Sequence, residues 1–209
     1  MDDFETGGTE SAAIFDRKQQ RRRKRTAVLK TAATAFNRRG FANTSMDDVA
    51  AALGVSKPAL YQYFKSKQEI LYECHLLAIK HGEAGIEEAR VLKGPGFEKV
   101  LAYLRRYMRG FFNELGGFAV LLDVHSLSDE HRDEVLMRRK AITNAVEKLV
   151  KAGIKDGSIV ECDAKLAALF AFGVINWISV WYRPGGPRTP DEIISSFTAL
   201  FRNSMQSDA

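Results

Sequence analysis

The chain has 209 residues, 45% hydrophobic and 27% charged, a composition that suits a soluble globular protein with its own core. Its two cysteines, Cys74 and Cys162, lie far apart with no C-x-x-C partner, which excludes a disulfide framework or a metal knuckle and points to a reducing cytoplasm. The formal charge of +5 is unevenly spread: residues 1–14 carry four acids and no base, residues 15–80 are net +9, and residues 81–209 are neutral. A basic head on a neutral body implies a polyanion partner for the head alone.

The opening MDDFETGGTE is acidic and polar, unlike a secretory signal, and residues 1–15 are expected to form a disordered tail. Helical periodicity runs from near Asp16 to Arg39, with Val28, Leu29, Ala32, Ala33, Ala35 and Phe36 forming an apolar stripe and Gly40 as its C-cap. Ser45-Met-Asp-Asp48 reads as a capping box. Met46, Val49, Ala50 and Leu53 follow at i, i+3, i+4 and i+7 until Gly54 breaks the helix. Ser56 is a second N-cap with Pro58 in the first turn, opening a short helix over Lys57–Phe64 that buries Leu60 and Phe64. Two short helices joined by a tight glycine turn make a helix-turn-helix.

A longer helix begins at Ser66 and carries Ile70, Leu71, Cys74, Leu77 and Ala78 on one side. Gly94-Pro95-Gly96 breaks it, and Phe97 to Leu115 keeps one apolar stripe up to Gly116-Gly117. A short apolar stretch, 118–127, precedes an amphipathic helix from Ser128 to about Lys155, with Asp156-Gly157 as its exit turn. Leu166–Tyr182 is apolar almost all round. At 17 residues, interrupted by Asn176 and Ser179, it fits a dimer core better than a membrane span. Thr189-Pro-Asp-Glu192 is a further capping box, opening a last helix with Ile193, Ile194, Phe197, Leu200 and Phe201. With no strand or repeat, the expected fold is all-α with about nine helices. The division is a three-helix helix-turn-helix head at residues 16–65 and a helical ligand-binding and dimerisation body at 66–209.

The run Thr44-Ser-Met-Asp-Asp-Val-Ala-Ala-Ala-Leu-Gly-Val-Ser-Lys-Pro-Ala-Leu-Tyr-Gln-Tyr-Phe-Lys-Ser-Lys-Gln-Glu-Ile-Leu71 resembles the DNA-binding signature of TetR-family regulators. The preceding Ala35-Phe-Asn-Arg-Arg-Gly-Phe41 resembles the end of that family's first helix, so the specific likeness spans about residues 18–75. The resemblance implies a homodimer that binds double-stranded operator DNA through its two heads and a small-molecule effector through its body.

It also implies roles for individual residues. Thr44 and Ser45 would meet a phosphate at a helix start. Ser56, Lys57, Pro58, Ala59, Tyr61 and Tyr63 would face DNA, with Lys57 reading guanine and Ala59 meeting a thymine methyl. Lys67 would contact phosphate, and Met46 stands at a base-reading position where many relatives carry a polar residue. The seven bases within Arg17–Arg25, Arg25 among them, are expected to form a flexible arm onto phosphates or the minor groove.

For the effector, the expected pocket lining is Tyr103, Tyr107, Phe111, Phe118, Leu122, Ile142, Phe170 and Trp177. His125 and Asn176 stand out as polar groups inside apolar stretches. Asn176-Trp177 through Trp181-Tyr-Arg-Pro-Gly-Gly186 resembles the subset of these regulators that answers to acyl-CoA thioesters of degradation pathways. Arg105, Arg106, Arg109, Arg138, Arg139 and Lys140 are the cations available for such a ligand's phosphates. The expected function is a ligand-released repressor of a palindromic operator. The alternatives are a repressor of efflux or detoxification genes answering to a drug-like hydrophobe, or an activator with the same head. An enzyme is not expected. No H-E-x-x-H, G-x-S-x-G, P-loop or dinucleotide fingerprint occurs, and no catalytic residue, cofactor, metal or membrane partner is assigned. A non-specific architectural DNA protein is the remaining rival.

Overall fold

The computed structural model describes residues 6–113, 123–183 and 185–207, with side chains from residue 16. These residues form eight α-helices and one 3-10 turn: α1 (Thr6–Arg39), α2 (Met46–Leu53), α3 (Lys57–Tyr61), α4 (Lys67–Val91), α5 (Gly96–Asn113), the turn Val124–Ser126, α6 (Asp129–Lys155), α7 (Ala164–Trp181) and α8 (Pro190–Met205). The fold is all-α as expected, with one α-helix fewer among the described residues. Two expectations for the N-terminus change. The helix starts at Thr6, so 6–15 are not a disordered tail, and the basic cluster 17–25 lies on a continuous helix instead of a flexible arm. No proline interrupts this stretch, and Ser11-Ala-Ala-Ile14 carries helix formers straight into the basic turns.

Local chemistry sets the ends of the short helices. Ser45 and Asp48 form a reciprocal box, the Asp48 N–H donating to Ser45 Oγ at 3.1 Å and the Ser45 N–H to Asp48 Oδ2 at 2.8 Å. Those bonds to Ser45 hold the Asp48 carboxyl below its ordinary pKa, with Arg39 adding to the effect. At the other end Gly54 sits at φ +66° and ψ +29°, donating to the Ala50 and Ala51 carbonyls. A side-chain residue in this left-handed conformation would cost roughly 1–2 kcal/mol. The turn is therefore sharp because glycine makes it.

Val28, Leu29, Ala32, Phe36, Val49, Leu60, Phe64, Ile70, Leu71 and Cys74 are buried together, so the first turns of α4 complete the head's core. The same core continues into the body, where α4 packs on α5 and α6, α6 on α7, and α5 on α8. The start of α5 is capped from a distance: the Gly96 N–H donates to Asp156 Oδ2 at 2.7 Å and the Phe97 N–H to Ser158 Oγ at 3.0 Å. The chain's end is tied to the same loop, Val160 N–H donating to the Met205 carbonyl at 2.9 Å.

Helix α7 is long and apolar enough, by length and composition, to cross a membrane, and only 28% of it is buried within the chain. Its inner side, Ala168, Ala171, Ile175 and Ile178, packs in the core. Its outer side leaves Leu166, Leu169, Phe170, Trp177 and Trp181 exposed, and Leu200 of α8 is exposed as well. An apolar surface of this extent on a body helix marks an interaction face.

A candidate DNA interface and the helical body behind it

Helix α3 is anchored from one side. Leu60 and Phe64 are buried to within 1% of full coverage, while Lys57, Pro58 and Tyr61 face solvent and Ala59 and Tyr63 are half-covered. Ser56 caps the helix, accepting from the Ala59 N–H at 3.4 Å. Lys57 Nζ reaches back to Asp47 Oδ2 at 2.7 Å, and that carboxylate holds the ammonium above its ordinary pKa. A protruding helix with an exposed lysine and tyrosine, and Tyr63 just beyond its end, has the shape and donors needed to enter a major groove.

Four residues of the sequence-derived interface point elsewhere. Thr44 is buried and its hydroxyl donates to the Gly40 carbonyl at 2.9 Å, closing the α1–α2 corner. Met46 is buried in the head core, so it fills space and presents no edge to a base. Lys67 Nζ donates to the Phe41 carbonyl at 2.7 Å and lies 4.3 Å above the Phe41 ring. Arg25 donates to Glu73 Oε1 at 2.7 Å with its guanidinium 4.5 Å over the Phe64 ring. These last two contacts fasten α4 to the corner α1–α2 and to α1 itself. Ser45 and Ser56 remain exposed at their helix starts.

The basic turns of α1 extend this surface. Arg17, Gln20, Arg21 and Lys24 share one helical face and, with Gln62 and Tyr63 beyond α3, line a shallow groove of about 300 Å³. Every charged residue of 17–24 is exposed, so the helix presents a fixed row of cations next to α3.

In the body, Tyr103, Tyr107, Phe111 and Ile142 are buried as expected, and Tyr107 Oη donates to Asn176 Oδ1 at 2.9 Å. The sequence-derived lining divides here. Phe170 and Trp177 are more than half exposed on the outer side of α7, and His125 is exposed at the 3-10 turn, so these three do not converge with the others. Phe118 and Leu122 lie outside the described residues.

The structure adds a residue that sequence reasoning passed over. His75 is fully buried on α4, its Nδ1 accepting from Arg139 Nη2 at 2.7 Å. Burial, with Arg139 adding to it, pushes the imidazole pKa down to about 3, so it is neutral and carries its proton on Nε2. Among the described residues neither that Nε2 nor the Tyr103 hydroxyl has a hydrogen-bond partner. Each is a polar group left without a partner in the interior of the body. The signal was in the spacing, since Leu71, His75, Ala78 and Gly82 occupy one helical stripe and the histidine falls on the buried side. No group of three or more His, Cys, Asp or Glu side chains converges as a metal set among the described residues.

A helix-turn-helix head fused through one long helix to an all-helical body with an exposed apolar face defines a class of one-component bacterial regulators. Residues 28–74 match the family model of bacterial regulatory proteins of the tetR family. Residues 93–205 match that of the tetracyclin repressor-like C-terminal domain. The chain belongs to the TetR family.

Among its relatives, the transcriptional repressor KstR2 of Rhodococcus jostii is 28% identical over 198 residues, covering 88% of this chain and 92% of that protein. The crystal structure of the TetR-family regulator PfmR from Thermus thermophilus superposes with a TM-score of 0.75 at 32% identity, covering 85% of this chain and 97% of that one. AibR, solved in complex with isovaleryl coenzyme A and operator DNA, shares the fold with a TM-score of 0.71 at 24% identity, covering 84% and 97% of the two chains.

Proposed function

We propose that the protein is a dimeric, ligand-released transcriptional repressor of a partly palindromic operator, with an acyl-CoA thioester as its effector. The observation that carries DNA recognition is the seating of α3: Leu60 and Phe64 are buried beneath it while Lys57 and Tyr61 stand outward and Tyr63 is half-covered beside them. The twofold arrangement is supported by the bare apolar strip on α7 and α8. Face to face with its symmetry copy, that strip makes a four-helix seam and places two heads on one side of the assembly.

Repression has its support in the likeness to KstR2, a repressor by name. A thioester effector has its support in AibR, whose complex holds isovaleryl coenzyme A and operator DNA, and in the Asn176–Gly186 motif of the sequence. The unpartnered Nε2 of His75 and hydroxyl of Tyr103, both buried in the body core, are the polar groups offered to a thioester carbonyl. An effector that fits only one spacing of the heads shifts the population away from the DNA-competent one.

The test is fluorescence anisotropy with the gene's own upstream duplex against a scrambled competitor. Lys57→Ala and Tyr61→Ala should each weaken specific binding by a factor of about 5 to 160, the equivalent of about 1–3 kcal/mol for a base or tight phosphate contact. Addition of acyl-CoA should release the native protein. Equal affinity for scrambled DNA, or no loss in both variants, would refute the assignment of α3.

A further inference from the structure

We infer that the groove between α4 and α5 is an anion site for the phosphate-bearing nucleotide end of the effector. This rests on the thioester reading proposed above and gives its charged half a location. The groove is open to solvent, encloses about 730 Å³, and sets Arg105, Arg106 and Arg109 of α5 opposite His81 and Glu88 of α4. Its floor is small and apolar, including Gly85 and Ala89. The volume lies within the roughly 300–1,000 Å³ of pockets that hold drug-sized ligands.

The structure sorts the six body cations that could meet a phosphate. Arg138 is held bidentate by Glu83, at 2.9 and 2.8 Å, with Glu134 at 3.5 Å. Arg139 is turned inward onto His75. Lys140 is exposed on α6 and does not line this groove. The other three line one concavity, and Glu88 is the single carboxylate among its lining residues, 3.0 Å from Arg106. Among the described residues Arg105 and Arg109 have no hydrogen-bond or ion-pair partner, and the buried Arg106 Nε has no hydrogen-bond acceptor.

Arg105 and Arg109, at i and i+4, are like charges on one helical face, a mildly unfavourable pair that a bound anion relieves, while Arg106 is balanced by Glu88. A concave wall of low dielectric concentrates that field. The planar forks of arginine match phosphate oxygens two at a time, and three forks suit a ligand with more than one phosphate charge better than a lone carboxylate. The groove is closed at one end where α5 meets α4, since a Cβ at Gly110 would run into the His81 ring. Because α4 also begins in the head, an anion bridging these walls would bear on the helix that carries α3.

The experiment is isothermal titration of the full-length protein at low ionic strength with isovaleryl-CoA, palmitoyl-CoA, free coenzyme A and adenosine 3′,5′-bisphosphate. The variants are Arg105→Gln/Arg109→Gln, Arg105→Lys/Arg109→Lys and Glu88→Gln, with thermal melting as the check on folding. The glutamine pair should weaken thioester binding tenfold or more, the lysine pair should restore part of it, and Glu88→Gln should tighten it severalfold. Thioester affinity unaltered by the glutamine pair overturns the groove while leaving the thioester effector in place. Arginine-dependent binding of the bisphosphate without any thioester binding upholds the groove and removes the effector reading. If no phosphate species binds the native protein, both fall.

Discussion

Replacing His75 by glutamine isolates a pH dependence that the fold imposes on a single buried side chain. The native imidazole, enclosed on α4 and bonded to Arg139, has its pKa lowered from 6.5 to about 3. The folded protein therefore binds fewer protons at this site than the unfolded chain. The site's penalty is absent above pH 6.5, grows as pH falls from 6.5 towards 3, and levels off below that. At about 1.36 kcal/mol per pH unit, His75 alone should remove about 2 kcal/mol of stability by pH 5. For a domain of this size that is a fall in Tm of about 4–8 °C. Glutamine can still accept from Arg139 and has no charge to gain. Urea unfolding of native and His75→Gln protein at pH 7.5 and pH 5, at one fixed protein concentration, measures the difference between their pH slopes. Other titrating groups are common to both proteins and cancel. Identical slopes would show that His75 is not held neutral in the fold.

Three further outcomes follow from the same geometry. Gly54→Ala should cost roughly 1–2 kcal/mol by thermal melting, because the left-handed turn stays while the residue suited to it goes, even though open space surrounds the site. Phe64→Ala should cost about 3–5 kcal/mol, read by urea titration, since it empties a fully enclosed ring site and deprives Arg25 of its stacking partner. Changing Arg17, Arg21 and Lys24 together to Gln should lower the slope of log affinity for DNA against log salt by roughly 3, about 0.9 per phosphate contact, with no change in preference among sequences. Anisotropy titrations over a range of salt concentrations would measure that slope.

The sequence was most legible where structure is local. The boxes Ser45/Asp48 and Thr189/Glu192 bond as their spacing requires, because a cap involves only residues three apart. It was least legible where a side chain could turn either way. Thr44, Arg25 and Lys67 sit at positions that read equally well as phosphate ligands or as internal fasteners; a carbonyl four residues back (Gly40) decides the first, and distant partners (Glu73 and Phe41) decide the other two. Phe170 and Trp177 are apolar, which is as appropriate to a pocket as to an interface between copies. Only the roll of α7 about its axis places them outside. The start of α5 carries no cap of its own, and Asp156 and Ser158, some sixty positions away, supply it. No window of neighbouring residues contains that information.

The two fasteners at the base of α4 leave no slack in the joint. Lys67 bolts the helix to the corner before α2, and Arg25 bolts it to α1 one turn and a half further on. A helix of 25 residues is about 37 Å long, so a tilt of about 5° pivoting at its far end swings the near end sideways by about 3 Å. That displacement equals the whole length of a hydrogen bond, and a twofold partner doubles it. In the repressor proposed above, a head joined in this way would turn a barely visible rearrangement in the body into a loss of register on the double helix.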